Sequence, residues 1–92
     1  MIGLCVMELS IPGARSLKDK RRIIKSLIDK SKNNFNIAIA ETEENEKWQS
    51  STISVVTVSN KKIQLERLLT QYINFVDEFP GLYLRDYQKQ YI

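Results

Sequence analysis

Apolar residues in this chain switch between strand-like and helix-like spacing, and the order of those switches restricts the fold more than any motif does. Residues 2 to 11, Ile-Gly-Leu-Cys-Val-Met-Glu-Leu-Ser-Ile, are apolar on both alternation sets, so they read as a central strand covered on both faces. Pro12-Gly13 ends that strand, and Ser16 with Asp19 three residues on is a capping-box-like start for a helix running to about Asn33. Leu17, Ile23, Ile24, Leu27 and Ile28 gather on one arc of it, the core face. Phe35 to Thr42 alternates as a strand, with Phe35, Ile37 and Ile39 on one side and Ala38 and Ala40 on the other. An acidic connection, Glu43-Glu44-Asn45-Glu46-Lys47, leads through Trp48 into a third strand from Gln49 to Ser59. Asn60 is placed to cap a second helix, where Leu65, Leu68, Leu69, Tyr72, Ile73, Val76 and Phe79 keep the i, i+3, i+4, i+7 rhythm. Pro80-Gly81 stops it, and Leu82 to Ile92 form the last strand.

Strand, helix, strand, strand, helix, strand is the order of the split βαβ, or ferredoxin-like, α+β plan. It predicts a four-stranded antiparallel sheet of order 4-1-3-2 with both helices on one face and the other face open. At 92 residues the chain suffices for one core, so residues 1–92 are read as a single domain. No apolar run approaches the roughly 18 residues of a membrane span, and no basic, signal-like segment opens the chain, so the expectation is a cytoplasmic protein.

Two absences narrow the chemistry. Cys5 is the only cysteine, and there is no histidine, which removes Ser-His and Cys-His pairs, imidazole metal ligands and the side chain best suited to proton transfer near pH 7. Ser16 has no base to activate it and reads as a helix cap. The acids from Glu41 to Glu46 lack the spacing of a calcium loop. The expectation is therefore a non-enzymatic protein with no catalytic residues, no metal and no cofactor.

Charge is where the chain departs from the ordinary. The net value is +3, yet the segment from Arg15 to Lys32 carries +6 and the remainder −3. On a helical projection Arg21, Lys32, Lys25, Lys18 and Arg22 form one stripe broken only by Asp29, beside the apolar arc. The stripe is locally unfavourable: Lys18–Arg22 and Arg21–Lys25 are like-charge i,i+4 pairs, and the basic residues crowd the positive end of the helix dipole. Phosphates bound along it would offset that cost, which makes Arg15, Lys18, Arg21, Arg22 and Lys25 a candidate nucleic-acid-binding set. A competing explanation lies in six acids, Glu41, Glu43, Glu44, Glu46, Asp77 and Glu78, which the topology brings to the same end of the sheet, where they could neutralise the cluster. Lys20 falls on the apolar arc and reads as a snorkelling side chain, stem in the core and ammonium in water.

Other features have plainer explanations. Strict alternation places Tyr83, Arg85, Tyr87, Lys89 and Tyr91 on one face of the last strand, either to protect a sheet edge or to stack RNA bases. Trp48 reads as a lid on the core or a dimer contact before a base-stacking platform, and Cys5 as a small buried hydrophobe.

The run Ile-Pro-Gly-Ala-Arg-Ser-Leu-Lys-Asp-Lys-Arg-Arg from Ile11 to Arg22, with Phe35 to Glu41, Trp48-Gln49 and Val58-Ser59-Asn60, closely resembles the YlxP-like family of small bacterial proteins. That resemblance implies a ferredoxin-like fold and a genomic setting among translation-initiation and ribosome-maturation genes. It supplies no established role and no catalytic residues. Two functions follow as expectations: an accessory protein that binds ribosomal RNA or the ribosome through the basic helix, and a homodimerising protein–protein module that uses the open sheet face, with the basic cluster neutralised by nearby acids.

Overall fold

Alternation along β1 (Ile2–Ser10) sends Cys5, Met7 and Leu9 to one side, where each is 0–1% exposed, and Ile2, Leu4 and Val6 to the other. The computed structural model describes residues 1–92, and α1 (Leu17–Asn34), β2 (Ala38–Glu43), β3 (Ser50–Val58), α2 (Lys62–Asp77) and β4 (Tyr83–Tyr91) complete the expected order. Every neighbouring pair of strands is antiparallel, in the order β2-β3-β1-β4, which is 4-1-3-2 read from the opposite edge.

Both helices bury their apolar arcs against the side of the sheet that carries Cys5, Met7, Ile53 and Val55. Leu27 comes from α1, and Leu69, Tyr72 and Val76 from α2, all 0% exposed. Phe35, directly after α1, meets Tyr72 edge-on at 5.2 Å, and the Tyr72 hydroxyl bonds Ser31 Oγ at 2.9 Å, so the two helices are joined by packing and by a buried polar contact. A Cβ on Gly3 would lie 3.3 Å from Leu69 Cδ1, so the missing side chain is what lets α2 approach β1 closely. Gly81, at φ +89, turns the chain from α2 into β4.

The boundaries depart from expectation where local hydrogen bonding outweighs pattern. Phe35 is the C-cap of α1, its N–H bonded to Ser31 O at 2.9 Å, so β2 begins at Ala38 and not at Phe35. The N-cap of α2 is Lys61 rather than Asn60 and makes no side-chain cap. Ser59 does the holding: its Oγ accepts from the Lys61 N–H at 3.2 Å and donates to Gln64 Oε1 at 2.6 Å.

Two readings are corrected. β1 is central, but only one of its faces is covered, because both crossover helices pack on the same side and leave Leu4 and Val6 half-buried and Ile2 exposed. The alternation of β4 is broken by a bulge opposite Glu8 and Leu9 in which Arg85 has no partner. Tyr87, Lys89 and Tyr91 therefore face the helix side, opposite Met7, Cys5 and Gly3, while Tyr83, opposite Ser10, lies on the open face. The five residues do not form a single stacking surface.

Candidate nucleic-acid interface on the first helix

Ser16 starts α1 as expected, its Oγ accepting the Asp19 N–H at 3.0 Å. The Asp19 carboxylate in turn accepts the Arg15 N–H at 3.0 Å, fixing the chain on both sides of the cap. With the apolar arc turned to the sheet, Arg15, Lys18, Arg21, Arg22 and Lys25 are all exposed. Two are paired within the helix, Arg22 to Asp19 at 3.5 Å and Lys25 to Asp29 at 2.8 Å. The hydrogen bond with Asp29 raises the pKa of Lys25. Arg15, Lys18 and Arg21 make no ion pair.

Of the six acids at this end, one pairs with the basic segment: Glu41, and its partner is Lys20, outside the stripe. Glu44 pairs with Lys47 at 3.5 Å, and its carboxyl is held below the usual range by a hydrogen bond from Ser50, helped by Lys47 and Lys20. Glu43, Glu46, Asp77 and Glu78 form no ion pair.

Lys20 corrects the snorkelling reading. Its side chain is fully buried, and the ammonium stops inside the protein because three acceptors meet it there: Glu44 O at 2.6 Å, Glu41 Oε2 at 3.0 Å and Ser50 O at 3.1 Å. Glu41 also accepts from Ser51 Oγ. Sequence reasoning could place Lys20 on the core arc; its acceptors, 24 and 30 residues downstream, had no local signal.

The same contacts organise the β2–β3 loop. Glu44 adopts φ 64, and its carbonyl accepts from both Lys20 and the Lys47 N–H. Gln49 Nε2 reaches back to Pro12 O at 3.3 Å and Ala14 O at 3.1 Å, and the Ile11 N–H bonds Gln49 O at 2.9 Å. Trp48, between these anchors, is 53% exposed, so it is not a lid on the core. Cys5 is fully buried as expected, and burial pushes its thiol pKa up to about 11. No group of three or more His, Cys, Asp or Glu side chains is placed to hold a metal. The recesses are open: one of about 340 Å³ between α2 and β4 is mainly polar, lined in part by Asn74, Asp77, Arg85 and Tyr87, and another of about 330 Å³ at the β2–β3 edge is mainly apolar, lined in part by Ile37, Ala38, Val56 and Val58. No helix is long and apolar enough to cross a membrane.

Fold and surface together define a ferredoxin-like α+β domain that presents one basic helix. The chain belongs to the family described as protein of unknown function (DUF503), whose model matches residues 2–89. It is 35% identical over 82 residues to the uncharacterized protein YlxP of Bacillus subtilis (strain 168), covering 89% of each chain, in line with the resemblance read from the sequence. Among solved structures it is similar to the de novo designed protein Foldit4, with a TM-score of 0.61 at 10% identity over 100% of this chain and 99% of that one. That likeness is one of fold alone.

Proposed function

We propose that this protein is a non-enzymatic cytoplasmic accessory factor that binds structured RNA, in particular ribosomal RNA or a ribosomal surface, through Arg15, Lys18, Arg21, Arg22 and Lys25. The observation that carries the reading is the exposed stripe on α1, where Arg15, Lys18 and Arg21 have no counter-ion although acids lie at the same end of the fold. Like charges at i,i+4 near the positive end of a helix cost stability, and phosphate is the anion that a row of Lys and Arg beside free helix N–H groups accommodates. The absence of histidine and the burial of Cys5 support the non-enzymatic part.

Anisotropy titration with ribosomal RNA at two salt concentrations tests it. Binding should weaken steeply with salt, and Lys18→Glu with Arg22→Glu should abolish most of it and flatten the salt dependence. Absence of binding at low salt, or an unaffected double variant, refutes the reading.

A second reading, homodimerisation through the open sheet face, is favoured by where exposed apolar residues concentrate. Ile2, Val56, Val58 and Ile92 are 36–69% exposed and lie at one corner of the open face, with Leu4, Val6, Ala38 and Ala40 continuing the apolar rows along the strands. None of these side chains is charged, so apolar rows of a second copy can meet them. Sedimentation equilibrium on nuclease-treated protein separates monomer from dimer.

A further inference from the structure

We infer that Trp48 is a stacking platform for an unpaired base of the RNA whose phosphates lie on α1, an inference that rests on the RNA-binding reading of that helix. Three observations carry it. First, Trp48 is the only tryptophan in the chain, and it is half exposed where an apolar ring of that size would ordinarily be buried. Second, its loop is held on both flanks: Lys20 binds the carbonyls of Glu44 and Ser50, and Gln49 binds those of Pro12 and Ala14. A fully buried lysine with all three N–H groups engaged is a rigid anchor, so the ring is presented at little ordering cost on binding. Third, the Gln49 bond to Ala14 O at 3.1 Å holds the residue next to Trp48 against the turn that carries Arg15 and leads into the stripe.

The topology also says which part of a nucleic acid this end admits. Glu43 and Glu44 lie on the β2 arm of the loop and Glu46 at its turn, whereas Trp48 follows on the β3 arm, on the side of the β1–α1 turn, because β3 pairs with β1. Carboxylates repel phosphate and are indifferent to the neutral face of a base. The backbone is thereby kept on Arg15 and Lys18, and an unpaired base reaches the ring, an arrangement in which stacking adds to the phosphate contacts without sequence preference.

The sole tryptophan makes the site its own reporter. The full-length protein is titrated with fluorescein-labelled 12-nucleotide oligoadenylate, reading label anisotropy and intrinsic tryptophan fluorescence in parallel. Stacking should quench Trp48 over the same concentrations that raise anisotropy. Trp48→Ala should weaken binding by roughly 5- to 150-fold, the range for loss of one stacked base, Trp48→Phe should retain most of the affinity, and neither should change the salt slope. Because the ring is exposed, both variants should keep the wild-type circular dichroism and melting temperature. Binding seen by anisotropy without quenching, with Trp48→Ala within twofold of wild type, overturns the stacking site and leaves the α1 reading intact. Quenching by an arginine-rich peptide but not by oligoadenylate overturns it in favour of a cationic partner drawn by Glu43 and Glu46. If neither ribosomal RNA nor the oligonucleotide binds at low salt, the reading of α1 falls and the inference with it.

Discussion

Lys20 brings three N–H groups into the protein and finds three acceptors, one of them a carboxylate only partly screened from water. Lys20→Met keeps the aliphatic stem but leaves Glu41 without its counter-ion and two carbonyls without a donor. Urea denaturation should show a loss of about 3 kcal/mol, near the lower end for breaking a buried pair because Glu41 keeps some access to solvent. Glu41→Gln, which preserves an acceptor for the ammonium, should cost less, about 1 kcal/mol. Cys5 yields a pH prediction. Burial raises its pKa from 9.0 to about 11, with Lys89 pulling slightly the other way. Below pH 9 both states hold the proton; between pH 9 and 11 the unfolded chain releases it while the folded chain does not, so stability falls as pH rises. The loss should reach about 2 kcal/mol near pH 11, and Cys5→Ala should flatten that part of the profile. Tyr72, pushed up to about 12 by burial, joins the same trend at the alkaline end. Both residues could be placed in the core from the sequence, because alternation and helical spacing are local properties. The Lys20 acceptors and the exposure of Trp48 could not, since each depends on how a loop closes against a turn about 35 residues away in the chain.

Helix α1 is where the proposed binding would pull against stability. Lys18 and Arg22, and Arg21 and Lys25, are like-charge pairs one turn apart on an exposed surface. Lys18→Glu removes one repulsion and places an acid in the first turn, so it should stabilise the free protein by about 0.5 to 1 kcal/mol at low salt, with the gain shrinking as salt is added. The same substitution should weaken RNA binding. Opposite signs in thermal denaturation and in titration would mark these charges as retained for a partner rather than for folding, whereas equal signs would identify a structural role. The element itself was legible: Ser16 announces its start and the Leu27 face its burial. β4 was legible as a strand but not in its facing, because a bulge leaves no trace in an alternating run. One unpaired residue, Arg85, is enough to put Tyr83 on the open face and Tyr87, Lys89 and Tyr91 on the other.

At the scale of the whole molecule, the open face is graded along the strands. Ile2, Val58, Leu4 and Val56 occupy one end, and Glu8, Asp86 and Glu43 the other, beside the loop that carries Trp48. A two-fold axis through the apolar end, lying in the plane of the sheet and perpendicular to the strands, would stack apolar rows on apolar rows and send the two acidic ends in opposite directions. Full overlap about that axis would instead lay each acidic end on the partner's apolar rows, and an axis parallel to the strands would set acid against acid, so the short overlap is the arrangement the charges favour. The overlap involves only a few short apolar rows, so a dimer of this kind is expected to form at micromolar or higher concentration. Mass action then makes the melting temperature rise by a few degrees with each tenfold increase in protein, whereas a monomer melts at one temperature throughout. Val58 is 69% exposed, so Val58→Lys leaves the core untouched and should abolish the concentration dependence while leaving the dilute melting temperature within a few degrees of wild type. In such a dimer the two α1 stripes lie on opposite outer surfaces. An RNA long enough to reach both should lose affinity in Val58→Lys through lost avidity, and one too short to bridge them should bind wild type and variant alike.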